Sequence, residues 1–106
     1  MLCGTHGLIT IRSRIVAMSD RYLEVSYRNG KAFAAYLFLP RRPDDRSART
    51  ERFSEILVID YADDGRAIGI EIIHPQAVKV EEINRALAHV DQSPLREEDF
   101  APLRAA

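Results

Sequence analysis

Glu55-Ile56-Leu57-Val58-Ile59-Asp60-Tyr61-Ala62-Asp63-Asp64-Gly65-Arg66-Ala67-Ile68-Gly69-Ile70-Glu71-Ile72-Ile73 is the stretch that decides the fold. A dense β-branched run leads into an acidic turn ending in glycine, and a second apolar run returns from it. Branched side chains pack well on a pleated surface, so both runs read as strands. Gly65 can take the left-handed conformation that closes a three-residue hairpin loop. Such a loop pairs Ala62 with Arg66. Uninterrupted pairing from there places Ile56, Val58, Ile68, Ile70 and Ile72 on one face, with Asp60 near the turn. Leu57, Ile59, Tyr61, Gly69, Glu71 and Ile73 then share the other face. The first face needs a helix over it. The second is also too apolar for water, and it predicts a homodimer whose interface includes Leu57, Ile59, Tyr61 and Ile73.

Upstream, Tyr22-Leu23-Glu24-Val25-Ser26-Tyr27 alternates with period two, and Asn29-Gly30 tolerates the positive φ angles of a type I′ turn. Lys31-Ala32-Phe33-Ala34-Ala35-Tyr36-Leu37-Phe38-Leu39 is the returning strand. The turn pairs Arg28 with Lys31, which sets Val25 opposite Ala34 and Leu23 opposite Tyr36, with Tyr27 on that face and Phe33 and Leu37 on the other. A polar loop bounded by Pro40 and Ser47 follows, and residues 49–53 suit a short strand. Residues 8–16 mix apolar and basic side chains and read as a leader or an edge strand; Met18 is an alternative start to Met1, which favours the leader.

Downstream, His74-Pro75 ends the hairpin, and Val80, Ile83, Leu87 and Val90 recur at helical spacing over residues 78–90. Ser93-Pro94 stops that helix, and a short last helix follows through Glu97, Phe100 and Leu103. The expected fold is α+β: a small antiparallel sheet of about four or five strands built from two β-hairpins, with one C-terminal helix packed on one face. Residues 20–92 form one domain, residues 1–19 the leader or edge strand, and residues 93–106 a short helix or tail.

Fifteen basic against sixteen acidic residues leave a net charge of -1 over 106 residues, an even balance with no footprint for nucleic acid or an anionic membrane. Cys3 is the single cysteine, so no intrachain disulfide forms and multi-cysteine zinc sites are excluded. That usage fits a cytoplasmic protein. Apolar runs fall far short of the ~20 residues of a membrane helix.

Asp60, Asp64, Gly65 and Glu71 match positions of a calcium-binding loop, but Ala62 stands where an oxygen ligand is required, and the flanks are strands. Glu71 and His74 are three apart, which on a strand points them to opposite faces. The other histidines, His6 and His89, are too scattered to complete a ligand set, so no metal or cofactor is expected. Arg41, Arg42, Arg46, Arg49 and Arg52 form the one basic cluster, interleaved with Asp44, Asp45, Glu51 and Glu55. It reads as a solvated loop, or as a contact surface for an acidic partner.

The run of residues 59–72, with Asp60-Tyr61, the Asp63-Asp64-Gly65 turn and then Gly69-Ile70-Glu71, resembles a small bacterial family known as domain of unknown function 2283. Ala35-Tyr36-Leu37 is similar to that family's alanine-leucine-tyrosine strand. The family's usual tyrosine-aspartate pair is replaced by Tyr27-Arg28, and the loop around Arg41-Arg42 is longer. The family has no established activity to carry over; the resemblance implies an antitoxin-like role beside a small neighbouring toxin. The residues themselves favour a non-catalytic interaction module that pairs with itself. A small enzyme using Asp60, Glu71 or His74 is the alternative.

Overall fold

The computed structural model describes residues 11–18 and 20–104. Both turns form as their residues dictate. Asn29 and Gly30 hold φ of 51° and 83°, the two positive values a type I′ turn needs. Gly65 holds φ of 91°; the Ala62 amide donates to Arg66 O at 2.8 Å and the Gly65 amide to Ala62 O at 3.0 Å.

Just beyond each turn the returning strand carries one extra residue. Tyr27 pairs with Ala32, but Ser26 pairs with Ala34, leaving Phe33 as a β-bulge. Tyr61 pairs with Ala67, but Asp60 pairs with Gly69, leaving Ile68 as a second. One extra residue turns the rest of a strand over, because side chains alternate with period two. The face assignments made by uninterrupted pairing are therefore corrected. Leu57 and Ile59 face the same way as Ile72 and Ile70, their partners. Leu23 pairs with Leu37, not Tyr36, and Val25 with Ala35, not Ala34. The two apolar faces expected of the central hairpin become one.

Among the described residues, six strands form a single antiparallel sheet in the order β1-β2-β3-β6-β5-β4. They are β1 (Ile11–Met18), β2 (Arg21–Arg28), β3 (Lys31–Phe38), β4 (Arg49–Arg52), β5 (Leu57–Tyr61) and β6 (Ala67–Ile72). The expectation of two hairpins and one helix undercounts this sheet. Residues 11–18 pair along β2 at one edge, residues 8–10 of the segment read as leader or edge strand lie outside the described residues, and β4 borders β5 at the other edge.

Helix α1 (Val80–His89) packs its Ile83, Ala86 and Leu87 into the core with Leu57, Ile59, Ile70 and Ile72. A 3₁₀ turn (Glu97–Phe100) and a second short helix, α2 (Ala101–Arg104), add Phe100 and Leu103 over the same core. The Tyr27 hydroxyl donates to Pro102 O at 2.8 Å. The Asn84 side chain holds Leu95 at both ends, accepting from its amide at 2.8 Å and donating to its carbonyl at 3.2 Å. These bonds tether the C-terminal segment, which has little area of its own to bury.

Helix α1 ends in a Schellman arrangement. The Gln92 amide reaches Leu87 O at 2.8 Å and the Asp91 amide reaches Ala88 O at 3.1 Å, while Asp91 occupies the left-handed position at φ 60° that glycine usually fills.

Candidate functional site

Among the described residues, the helices lie on one side of the sheet and leave the opposite face open. Strand register arranges its side chains in two rows. One runs Ala17, Tyr22, Phe38, Gly69, Asp60 and Thr50; the next runs Ile15, Glu24, Tyr36, Glu71, Val58 and Arg52. The bulge at Ile68 puts Asp60 and Glu71 on this face, while the apolar alternation of β5 points inward.

The two rows meet at Gly69. A Cβ there would lie 1.9 Å from the Tyr36 hydroxyl oxygen and 2.2 Å from Cζ, so the tyrosine ring occupies the space that any other residue would fill. Passing over this gap, the Tyr36 hydroxyl donates to Asp60 Oδ2 at 2.7 Å. Burial raises the Tyr36 phenol well above its ordinary value, and the hydrogen bond and negative charge of Asp60 push it further. Phe38 packs its ring edge-on at 4.6 Å from that of Tyr36. Arg41 reaches over the Phe38 ring, 5.6 Å from its centroid. A mid-strand glycine signals close approach by another group; Ile68-Gly69-Ile70 carried that signal, but its tyrosine partner lies on a strand distant in sequence.

A second cluster sits on the covered side, at the margin of the core. Tyr61, expected at an interface, is only 8% exposed. Its hydroxyl donates a short hydrogen bond to Glu51 Oε1, and the Arg49 guanidinium stacks 4.0 Å from its ring centroid. His89 Nε2 lies 3.3 Å from the same Glu51 oxygen. Burial, then Glu51, pushes the Tyr61 phenol up to about 12. Glu51 is held below the usual carboxylate range, chiefly by the Tyr61 hydroxyl and then by His89.

The remaining residues named from sequence divide by role. Asp63, Asp64 and Gly65 are turn residues: Asp63 is exposed, and Asp64 is bound by Arg66 Nε at 2.8 Å. Leu57 and Ile59, expected to meet a second copy, are fully buried under α1. Ile73 lies just past β6 and is half-buried. His74 lines a groove with Phe33 and Gln76 that neither Asp60 nor Glu71 enters. The structure thus brings Asp60 and Glu71 to one face but leaves His74 apart from them. Among the described residues, no three His, Cys, Asp or Glu side chains group to hold a metal ion, and no helix is long and apolar enough to cross a membrane. Cys3 and His6 lie outside the described residues.

No curated protein and no solved structure matches the chain. Residues 34–74 match the model of a family described as Protein of unknown function (DUF2283). That stretch holds most of β3 and all of β4, β5 and β6, and with them Tyr36, Asp60, Gly69 and Glu71. It is through this four-strand unit, which carries the tyrosine laid across its glycine, that the chain is similar to the DUF2283 family.

Proposed function

We propose that the protein is a non-catalytic interaction module that assembles as a homodimer through the open face of its sheet. The observation that carries this reading is the placement of both helices on one side. The bare side bears Ile15 at 65% exposure and Tyr22 at 48%, next to half-buried Tyr36, Phe38 and Val58. Large apolar side chains gathered on one uncovered face favour a macromolecular contact.

Charge placement favours a second copy as the occupant. Glu24 lies towards the β1 edge of this face and Arg52 on β4 at the opposite edge. A two-fold axis parallel to the strands brings the Arg52 side of one copy over the Glu24 side of the other, as an isologous contact requires. The interface residues differ from those expected from uninterrupted pairing, because the bulges send Leu57, Ile59 and Tyr61 into the core.

Size-exclusion chromatography with light scattering at micromolar concentration tests the reading. The expected mass is that of two chains, and Ile15→Asp with Tyr22→Asp reduces it to one. A wild-type monomer under these conditions overturns it.

A further inference from the structure

We infer that a cleft beside the 63–65 turn is a binding site for a phosphate-bearing ligand. The cleft measures about 700 Å³, within the ~300–1,000 Å³ typical of small-molecule sites. It lies where three segments meet: the loop after β3, the β5–β6 turn and the end of α1. Arg41 and Arg42, Arg66, and His89 with Asp91 come from these segments in turn. Arg41 of this cleft also reaches over Phe38 on the open face proposed for dimerisation; phosphate binding and chain mass are separate readouts, so either reading can fail alone.

The lining of this cleft is more basic than the chain as a whole, whose net charge is -1. Among the described residues, its lining includes Arg41, Arg42, Arg66 and His89 against one acid, Asp91. Asp44, Asp45, Asp63 and Asp64 line a neighbouring groove, and from it Asp45 and Asp64 pair with Arg66 at 2.7 and 2.8 Å. Arg42 and Arg66 form the wall between the two.

Arg66 is positioned in advance, chiefly by Asp45. Its carboxylate receives Arg66 Nη2 at 2.7 Å and Nη1 at 3.1 Å, and the Arg42 backbone amide at 2.8 Å. Its backbone carbonyl receives Arg41 Nη2 at 3.3 Å. Asp64 takes Arg66 Nε. Arg66 is thereby locked but retains N–H donors, since a guanidinium has five. Besides its long bond to that carbonyl, Arg41 lies over the Phe38 ring and beside the Tyr36 hydroxyl, and among the described residues it pairs with no carboxylate.

The chemistry favours phosphate over carboxylate. A single planar guanidinium fork satisfies a carboxylate, whereas a phosphate dianion has oxygens enough for several forks at once. The end of α1 contributes partial negative charge that opposes an anion; the convergent cations are what overcome it. Pro40, Ala67 and Val90 supply an apolar floor for the rest of the ligand.

The test is a titration of the full chain with inorganic phosphate at constant ionic strength, followed by amide chemical shifts, with acetate as comparison. Saturable shifts at Arg41, Arg42, Gly65, Ala67 and Gln92 are expected, with acetate binding at least tenfold more weakly. Arg41→Ala with Arg42→Ala should weaken phosphate binding at least tenfold while the rest of the spectrum is retained. Arg41→Lys with Arg42→Lys, which keeps the charges and removes the forks, should fall between. Absence of saturable shifts in the wild type, acetate binding as tightly as phosphate, or equal binding by the alanine variant overturns the inference.

Discussion

Tyr36 and Asp60 lie on strands separated by β6, and the Tyr36 hydroxyl reaches the Asp60 carboxylate at 2.7 Å because the residue between them is Gly69. Gly69→Ala should displace the tyrosine ring and break that bond. The expected loss is about 1 kcal/mol, the net worth of a typical hydrogen bond. Chemical denaturation of the single and double variants checks this. In a Tyr36→Ala background, Gly69→Ala should cost nothing or stabilise slightly; an unchanged cost there would show that the glycine serves the backbone rather than the ring.

Ile59→Ala should destabilise the fold by about 2–5 kcal/mol, as for other buried aliphatic truncations. Ile59 is fully buried in the core, so the loss should be the same at low and high protein concentration. A loss that appears only through weakened self-association would instead place Ile59 on an interface.

The Tyr61–Glu51 pair should support the fold between two pH limits. Glu51 is depressed below the usual carboxylate range. Its contribution is present above the ordinary glutamate pKa and is lost as pH falls through the folded value. Tyr61 is raised from 10.0 to about 12. Its contribution is full below about pH 10 and is lost as pH rises through about 12. Tyr61→Phe should flatten both limbs of the stability profile and delete a late-titrating phenolate from the ultraviolet absorbance. Tyr36→Phe should delete a second late phenolate.

Asp91→Gly should stabilise the protein by about 0.5–1 kcal/mol, because Asp91 sits at φ 60° and glycine carries no Cβ penalty there. Thermal unfolding of the variant reads this directly. Gly65→Ala should do the opposite by about 1 kcal/mol, since φ is 91° and a Cβ would meet nothing within 4 Å, so the cost is conformational alone.

The turns were legible in the sequence and the faces were not, for one physical reason. Asn29-Gly30 and Asp63-Asp64-Gly65 announce themselves through the backbone angles they permit. A bulge has no such residue requirement here: Phe33 and Ile68 are ordinary strand formers. Alternation could have exposed the slip had one parity been polar. Ile56-Leu57-Val58-Ile59 is apolar on both, so either register looks acceptable. The helix was readable from its period, whereas the Tyr36–Gly69–Asp60 contact depends on the β3–β6 pairing, which joins distant parts of the chain. The Glu51–Tyr61–His89 cluster escaped notice for the same reason.

The strand order β1-β2-β3-β6-β5-β4 also determines how the chain must assemble itself. Every neighbouring pair of strands but one is consecutive in sequence; the exception is β3 with β6. Two three-stranded meanders can each form from local contacts, at small loop-closure cost, and the sheet is completed when their inner strands meet. Folding speed should therefore be governed by that single seam. Substitutions along the seam, at Leu37 and Ile70 for example, should slow folding itself, while those in the outer strands should act mainly by hastening unfolding.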